Sequence, residues 1–136
     1  MNAKDQFANA ENALKQGRVK AAVDVLKSIL QNQPDEPNSL RLLGLIALGQ
    51  KDYKASLEFL EQACRSAPNF LRARLDYGRA LFFSGELKEA FEVLTRICDQ
   101  QPSTESFQML GNVQAGLGRR DDAVVSFKKS IELDPF

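Results

Sequence analysis

Apolar residues recur along this chain at helical spacing, in blocks of a few turns separated by short polar breaks. Between Leu71 and Thr104, Arg74, Tyr77, Gly78 and Leu81 mark one face of a first helix. Ser84 and Gly85 interrupt it, then Ala90, Leu94 and Ile97 mark a second before Pro102 stops it. The same template fits 34 residues towards the N-terminus, on Leu40, Leu43, Gly44, Ala47, Ser56, Leu60, Ala63 and Pro68, and 34 further back on Ala10, Ala13, Ala22, Leu26, Ile29 and Pro34. Towards the C-terminus the step is 33, on Phe107, Leu110, Gly111, Ala123, Phe127, Ser130 and Pro135. Self-similarity at this period predicts helix-turn-helix hairpins, each burying its apolar face against its neighbours.

The pattern predicts one domain, 1–136, of four hairpins at about 3–36, 37–70, 71–103 and 104–136. The first helices are expected near Lys4–Gln16, at Leu40–Leu48 after an opening turn of Pro37, Asn38 and Ser39, from Leu71 to the turn at Ser84-Gly85, and near Glu105–Gly116, and the second near Lys20–Asn32, Asp52–Arg65, Glu86–Asp99 and Asp121–Leu133. Gly17, Ser84-Gly85 and the run Gln33-Pro34-Asp35-Glu36-Pro37 supply stops and turns. The first helix carries Gln6, Asn9, Glu11 and Asn12 where later hairpins are apolar, as expected for a repeat with no neighbour on one side. Each hairpin also has a small residue midway along its first helix (Ala10, Gly44, Gly78, Gly111) and early in its second (Ala22, Ser56, Ala90, Ala123). Glycine inside a helix costs about 1 kcal/mol relative to alanine, so three glycines at one repeat position imply close helix approach there.

Charge changes the picture by exclusion. Lys plus Arg and Asp plus Glu are both 18, and this balance argues against a general nucleic-acid or anionic-membrane binder. The N-terminal run Met1-Asn2-Ala3-Lys4-Asp5-Gln6 lacks the apolar core of a signal peptide, and Leu42–Gly49 is far too short to span a bilayer. Cytoplasmic is the default reading, with a periplasmic origin left open for an excised piece. Cys64 and Cys98 are 34 residues apart, at one repeat position, where stacked helices would sit about 8–10 Å apart. That exceeds the roughly 7 Å reach of a disulfide. With no histidine, the chain lacks the usual general base and a good metal site. The run Gly111–Gly118 lacks the Gly-Lys-Ser/Thr ending of a phosphate loop. No catalytic, cofactor-binding or metal residues are expected.

The spacing resembles the tetratricopeptide repeat. Its order of large, apolar, small and large residues, then Ala, an aromatic or Leu, Ala and Pro, is met by Leu40, Leu43, Gly44, Ala47, Ser56, Leu60, Ala63 and Pro68, and again in the third and fourth hairpins. The first hairpin is degenerate, and Arg74 and Gln114 depart from the large apolar types. The resemblance implies an all-α, right-handed superhelical solenoid of antiparallel helix pairs, whose concave face holds a peptide or partner protein.

Carried onto this chain, that face has at its centre Leu45, Leu48, Leu75 and Phe82, flanked by Arg41, Arg72 and Arg79, with Asn112 on the last hairpin. These residues are expected to take a peptide with an apolar anchor and an acidic group, arginine supplying carboxylate recognition. The competing reading pairs the arginines with Asp76, Glu11 or Glu105. Chaperone-binding members use Lys and Asn at positions that here hold Phe7, Glu11, Leu42 and Asp76, with only Arg72 suited, so chaperone tails are not the expected ligand. In the last helix Val124, Phe127 and Ile131 have no obvious cover, and are expected to dock a further repeat, an adjacent domain or a second copy. A protein-interaction scaffold is thus the expected function. The alternatives are a regulatory arm of a longer enzyme, as before bacterial transferase domains, or a self-assembly module.

Overall fold

The computed structural model describes residues 2–134. Pro135, the expected stop of the last hairpin, lies outside them, as do Met1 and Phe136. The described residues form helices α1 (Ala3–Lys15), α2 (Val19–Asn32), α3 (Pro37–Gly49), α4 (Tyr53–Ser66), α5 (Leu71–Phe83), α6 (Leu87–Gln100), α7 (Thr104–Gly116) and α8 (Arg120–Leu133). All eight expected helices are present, with ends mostly within one or two residues of expectation. α3 begins at Pro37, in the opening turn expected before Leu40. Glu36 folds its carboxylate back to accept from the backbone N–H groups of Asn38 (3.0 Å) and Ser39 (2.7 Å), and proline fits the first turn because its missing N–H would have no helical partner.

Side chains fix other helix starts. Asn2 accepts from the Asp5 N–H at 2.8 Å to begin α1, and Ser103 and Ser106 form a reciprocal capping box at the start of α7. Within each hairpin the turn passes through the left-handed backbone region, at Gly17 (φ 75°), Gly85 (φ 87°) and Gly118 (φ 79°). In the second hairpin Lys51 holds that conformation, at φ 62°.

The chain divides into two compact units, Met1–Ala73 and Arg74–Phe136, the boundary falling inside α5. In the first, α1 packs on α2, α2 on α3 and α3 on α4. Its core gathers Ala10, Ala22, Leu26 and Ile29 with Leu43, while Leu40, Ala63 and Ala73 form a second cluster. The close approach read from Gly44 is present: Ser56 of α4 donates its hydroxyl to the Gly44 carbonyl at 2.8 Å, in a buried bond.

In the second unit α6 packs on α7 and α7 on α8, around buried Leu81, Leu94, Ile97, Leu110 and Val113. Arg74 donates to Gln100 (2.9 Å) and Tyr77 to Glu89 (3.0 Å), tying α5 to both ends of α6. Thr104 and Ser130 exchange hydroxyl-to-carbonyl bonds, Ser130 donating at 2.8 Å, which pins the start of α7 to the end of α8.

Candidate protein-binding site

In the second unit the residues expected to bind a partner do meet, although not all of them. Arg79 and Phe82 of α5 and Asn112 of α7 line one cavity of about 80 Å³, together with Phe83, Leu94 and Met109. One buried water needs about 10–15 Å³ of such space, so there is room for an aliphatic side chain. Leu94 is fully buried and Met109 nearly so, which makes the floor apolar, while Asn112 stands exposed at the rim.

Phe83 was not legible in the repeat pattern. It is 55% exposed, and its ring meets that of Phe82 edge-on with centroids 5.4 Å apart. The corresponding positions of α3 and α7 are Gly49 and Gly116. A large aromatic side chain left in water where two other hairpins carry glycine is the signal that sequence reading missed. Leu94 was missed for the opposite reason, being read only as part of the repeat template, and Met109 falls outside that template.

At Arg79 the charges follow the competing reading, in which an acidic residue of the chain itself pairs with the arginine. Arg79 donates to Glu105 at 2.8 Å and lies 3.8 Å from the carboxylate of Asp76, whose side chain is 1% exposed. Its guanidinium therefore already holds α5 against α7. One correction concerns Leu75, which is 1% exposed and belongs to the core, not to an open face. Arg41, Leu45 and Leu48 sit half-buried on α3 in the first unit, with Arg72 half-buried at the start of α5.

A second correction falls on α8. Val124 (49% exposed) and Ile131 (61%) are open, as expected, but Phe127 turns inward and packs on Gly111, where a Cβ would meet its ring at 2.6 Å. Leu60 and Leu94 fill the same role against Gly44 and Gly78. Elsewhere, burial pushes the Cys98 thiol up from its ordinary pKa, partly offset by the hydroxyl of Ser106. A thiol held protonated in this way is a poor nucleophile. No three potential metal ligands cluster among the described residues, and none of their helices is long and apolar enough to cross a membrane.

Tetratricopeptide-repeat family models match residues 7–69, 47–115 and 104–136, the second of these alone spanning half of the chain. The chain belongs to the tetratricopeptide repeat family. Solved structures of members share its fold. MamA 41-end from Desulfovibrio magneticus RS-1 superposes with a TM-score of 0.88 at 22% identity, over 98% of this chain and 76% of that one. Another MamA crystal structure gives 0.89 at 21% identity, over 98% and 79%. YrrB, described as a TPR protein with an unusual peptide-binding site, gives 0.86 at 22% identity, over 98% and 69%. A sequence comparison with curated proteins gives no match. The all-α helical-hairpin class expected from the sequence therefore holds.

Proposed function

We propose that this chain is a protein-binding module, not itself an enzyme, whose second unit receives an apolar side chain of a partner polypeptide in the cavity beside Phe82 and Phe83. The observation that carries this is Phe83. Exposing an aromatic ring costs solvation free energy that a bound partner would recover, at about 25 cal/mol per Å² of apolar surface removed from water. Aromatic anchors beside a preformed apolar recess are a recurrent way of concentrating binding energy. The polypeptide ligand named for YrrB is in keeping with this reading. Asn112 at the rim offers both a donor and an acceptor to a ligand backbone. An acidic ligand group would compete with Glu105 for Arg79. Arg41, Leu45, Leu48 and Arg72 are proposed as further contacts made by the first unit.

The test is a peptide array probed with the chain and with its Phe83→Ser variant. Peptides sharing an apolar residue should bind the parent and lose roughly tenfold or more with the variant. Equal binding by both would overturn the cavity as the site. Arg41→Ala and Arg72→Ala, probed on the same array, read the contribution of the first unit.

A further inference from the structure

The equal numbers of cations and acids in the whole chain conceal an uneven distribution within the first unit. There α1 packs on α2, α2 on α3 and α3 on α4, so the α1–α2 and α3–α4 turns lie at the same end of that unit. The first turn carries Lys15, Arg18 and Lys20 and the second Lys51 and Lys54, all five exposed, against Asp52 alone. The Asp52 carboxylate is itself engaged at the start of α4, where it accepts from the Ala55 N–H at 3.2 Å. None of the five cationic side chains has an ion-pair partner among the described residues, whereas Arg65, Arg74 and Arg79 are held by Glu61, Gln100 and Glu105. In the second unit the matching turns are mixed, Glu86 and Glu89 in one and Asp121 and Asp122 in the other offsetting the cations there.

Lys51 holds φ 62° where the other three hairpins turn through Gly17, Gly85 and Gly118, so it places an ammonium on this edge against the preference of the backbone for glycine. Each turn also interleaves its cations with a less polar group. Val19, 36% exposed, stands between Arg18 and Lys20, and Tyr53, half-buried, stands between Lys51 and Lys54. Lysine and arginine beside an apolar or tyrosyl side chain is the composition of a surface resting at the headgroup level of a bilayer. A nucleic-acid strand would call for open aromatic faces on which bases stack, and Tyr53, the aromatic at this edge, is half-buried. Four of the five cations are lysines, flexible point charges and not the planar forks that suit fixed carboxylates. That favours a surface of diffusing headgroups over a single acidic peptide.

We propose that this edge of the first unit rests on the surface of a bilayer rich in anionic lipid, the five cations meeting headgroup phosphates while Val19 and Tyr53 enter the interfacial layer. The contact is electrostatic and peripheral, and no described helix is long and apolar enough to cross a membrane. It shares no residue with the cavity beside Phe83, so it does not depend on the peptide reading of that cavity.

The probe is a vesicle of equal parts phosphatidylcholine and phosphatidylglycerol, with phosphatidylcholine alone as the neutral control, and the readout is co-sedimentation of the whole chain. The expected result is sedimentation with the anionic vesicle only, lost at about 1 M salt, where the screening length is about 3 Å. Lys51→Gly should lower the partition roughly fivefold, the usual effect of one cation at such a surface, while Lys51→Arg keeps it. Glycine suits the turn better than lysine, so unfolding does not account for that loss, and a thermal melt of the variant checks this. Arg18→Glu/Lys20→Glu should abolish binding, whereas Lys4→Ala, at the other end of α1, should leave it unchanged. Failure to bind the anionic vesicle, or equal binding by parent and Lys51→Gly, overturns the proposal. Equal losses with Lys4→Ala and Lys51→Gly overturn it too, since net charge and not this edge would be responsible. So does displacement of the vesicle by polyglutamate or by duplex DNA at matched charge, since the edge would then belong to another macromolecule. Loss of array binding with Phe83→Ser concerns the cavity alone, so the two readings fail separately.

Discussion

Leu60 occupies the space that a side chain on Gly44 would need: a Cβ built on Gly44 would lie 2.6 Å from Leu60 Cγ. Cγ is the branch point of leucine, so the clash is not relieved by swinging a methyl group aside. Gly44→Ala gains about 1 kcal/mol of helix propensity, yet overpacking of this kind typically costs about 1–3 kcal/mol. The expected outcome is a net loss of stability in urea denaturation, recovered in part when Leu60→Val is added. Gly111→Ala, which meets the Phe127 ring, should behave similarly. Gly78→Ala should cost less, because its tightest contact, 2.9 Å, is with a terminal methyl of Leu94. Gly49, with nothing within 4 Å, is the control, and Gly49→Ala should stabilise. Equal effects at Gly44 and Gly49 would show that packing does not select the glycine.

Lys51 is the turn residue that breaks the repeat's own rule. It holds φ 62° where Gly17, Gly85 and Gly118 hold similar positive angles. A left-handed backbone costs a side-chain-bearing residue about 1–2 kcal/mol, a penalty glycine escapes. The Lys51 N–H still closes the turn, donating to the Leu48 carbonyl at 3.0 Å, and glycine preserves that bond. Lys51→Gly should therefore raise stability by about 1 kcal/mol, less the extra unfolded-chain entropy that glycine brings. A thermal melt measures it; a lower melting temperature would mean that the lysine side chain makes a contact worth more than the backbone strain.

What the sequence disclosed follows from repetition. A packing demand met by Gly44, Gly78 and Gly111 is written three times, so hairpins, turns and small-residue contacts were legible before any coordinates. Features that occur once were not. Phe83 stands alone among its repeat equivalents, so no periodicity marked it. Leu75 and Phe127 were misplaced because helical spacing gives the azimuth of a stripe without saying where its buried edge ends. Phe127 sits at the repeat position that Leu60 and Leu94 use to fill the space over a glycine, and that correspondence outweighs its alignment with Val124 and Ile131. The Arg79–Glu105 pair joins residues 26 apart on different hairpins, and the sequence offered several acids for the arginine without choosing among them.

Gln114 explains its own departure from the apolar pattern through Ser126. The Ser126 hydroxyl donates to Gln114 Oε1 inside the α7–α8 hairpin, with Gln114 9% and Ser126 4% exposed. The corresponding pairs are Ala47 with Phe59 and Leu81 with Val93, so a polar pair has replaced an apolar one at both positions together. Removing the two halves should not be equivalent. Ser126→Ala deprives a buried amide oxygen of its donor, and an unsatisfied buried group costs about 1–3 kcal/mol. Gln114→Leu leaves a serine hydroxyl that can turn back to the carbonyl four residues earlier in its own helix, so it should cost less. The double variant Gln114→Leu/Ser126→Ala removes both polar groups together and should recover most of the loss. Denaturation of the four proteins in parallel gives the coupling. Additive losses, with no recovery in the double variant, would mean that the hydrogen bond is not what keeps two polar side chains inside this hairpin.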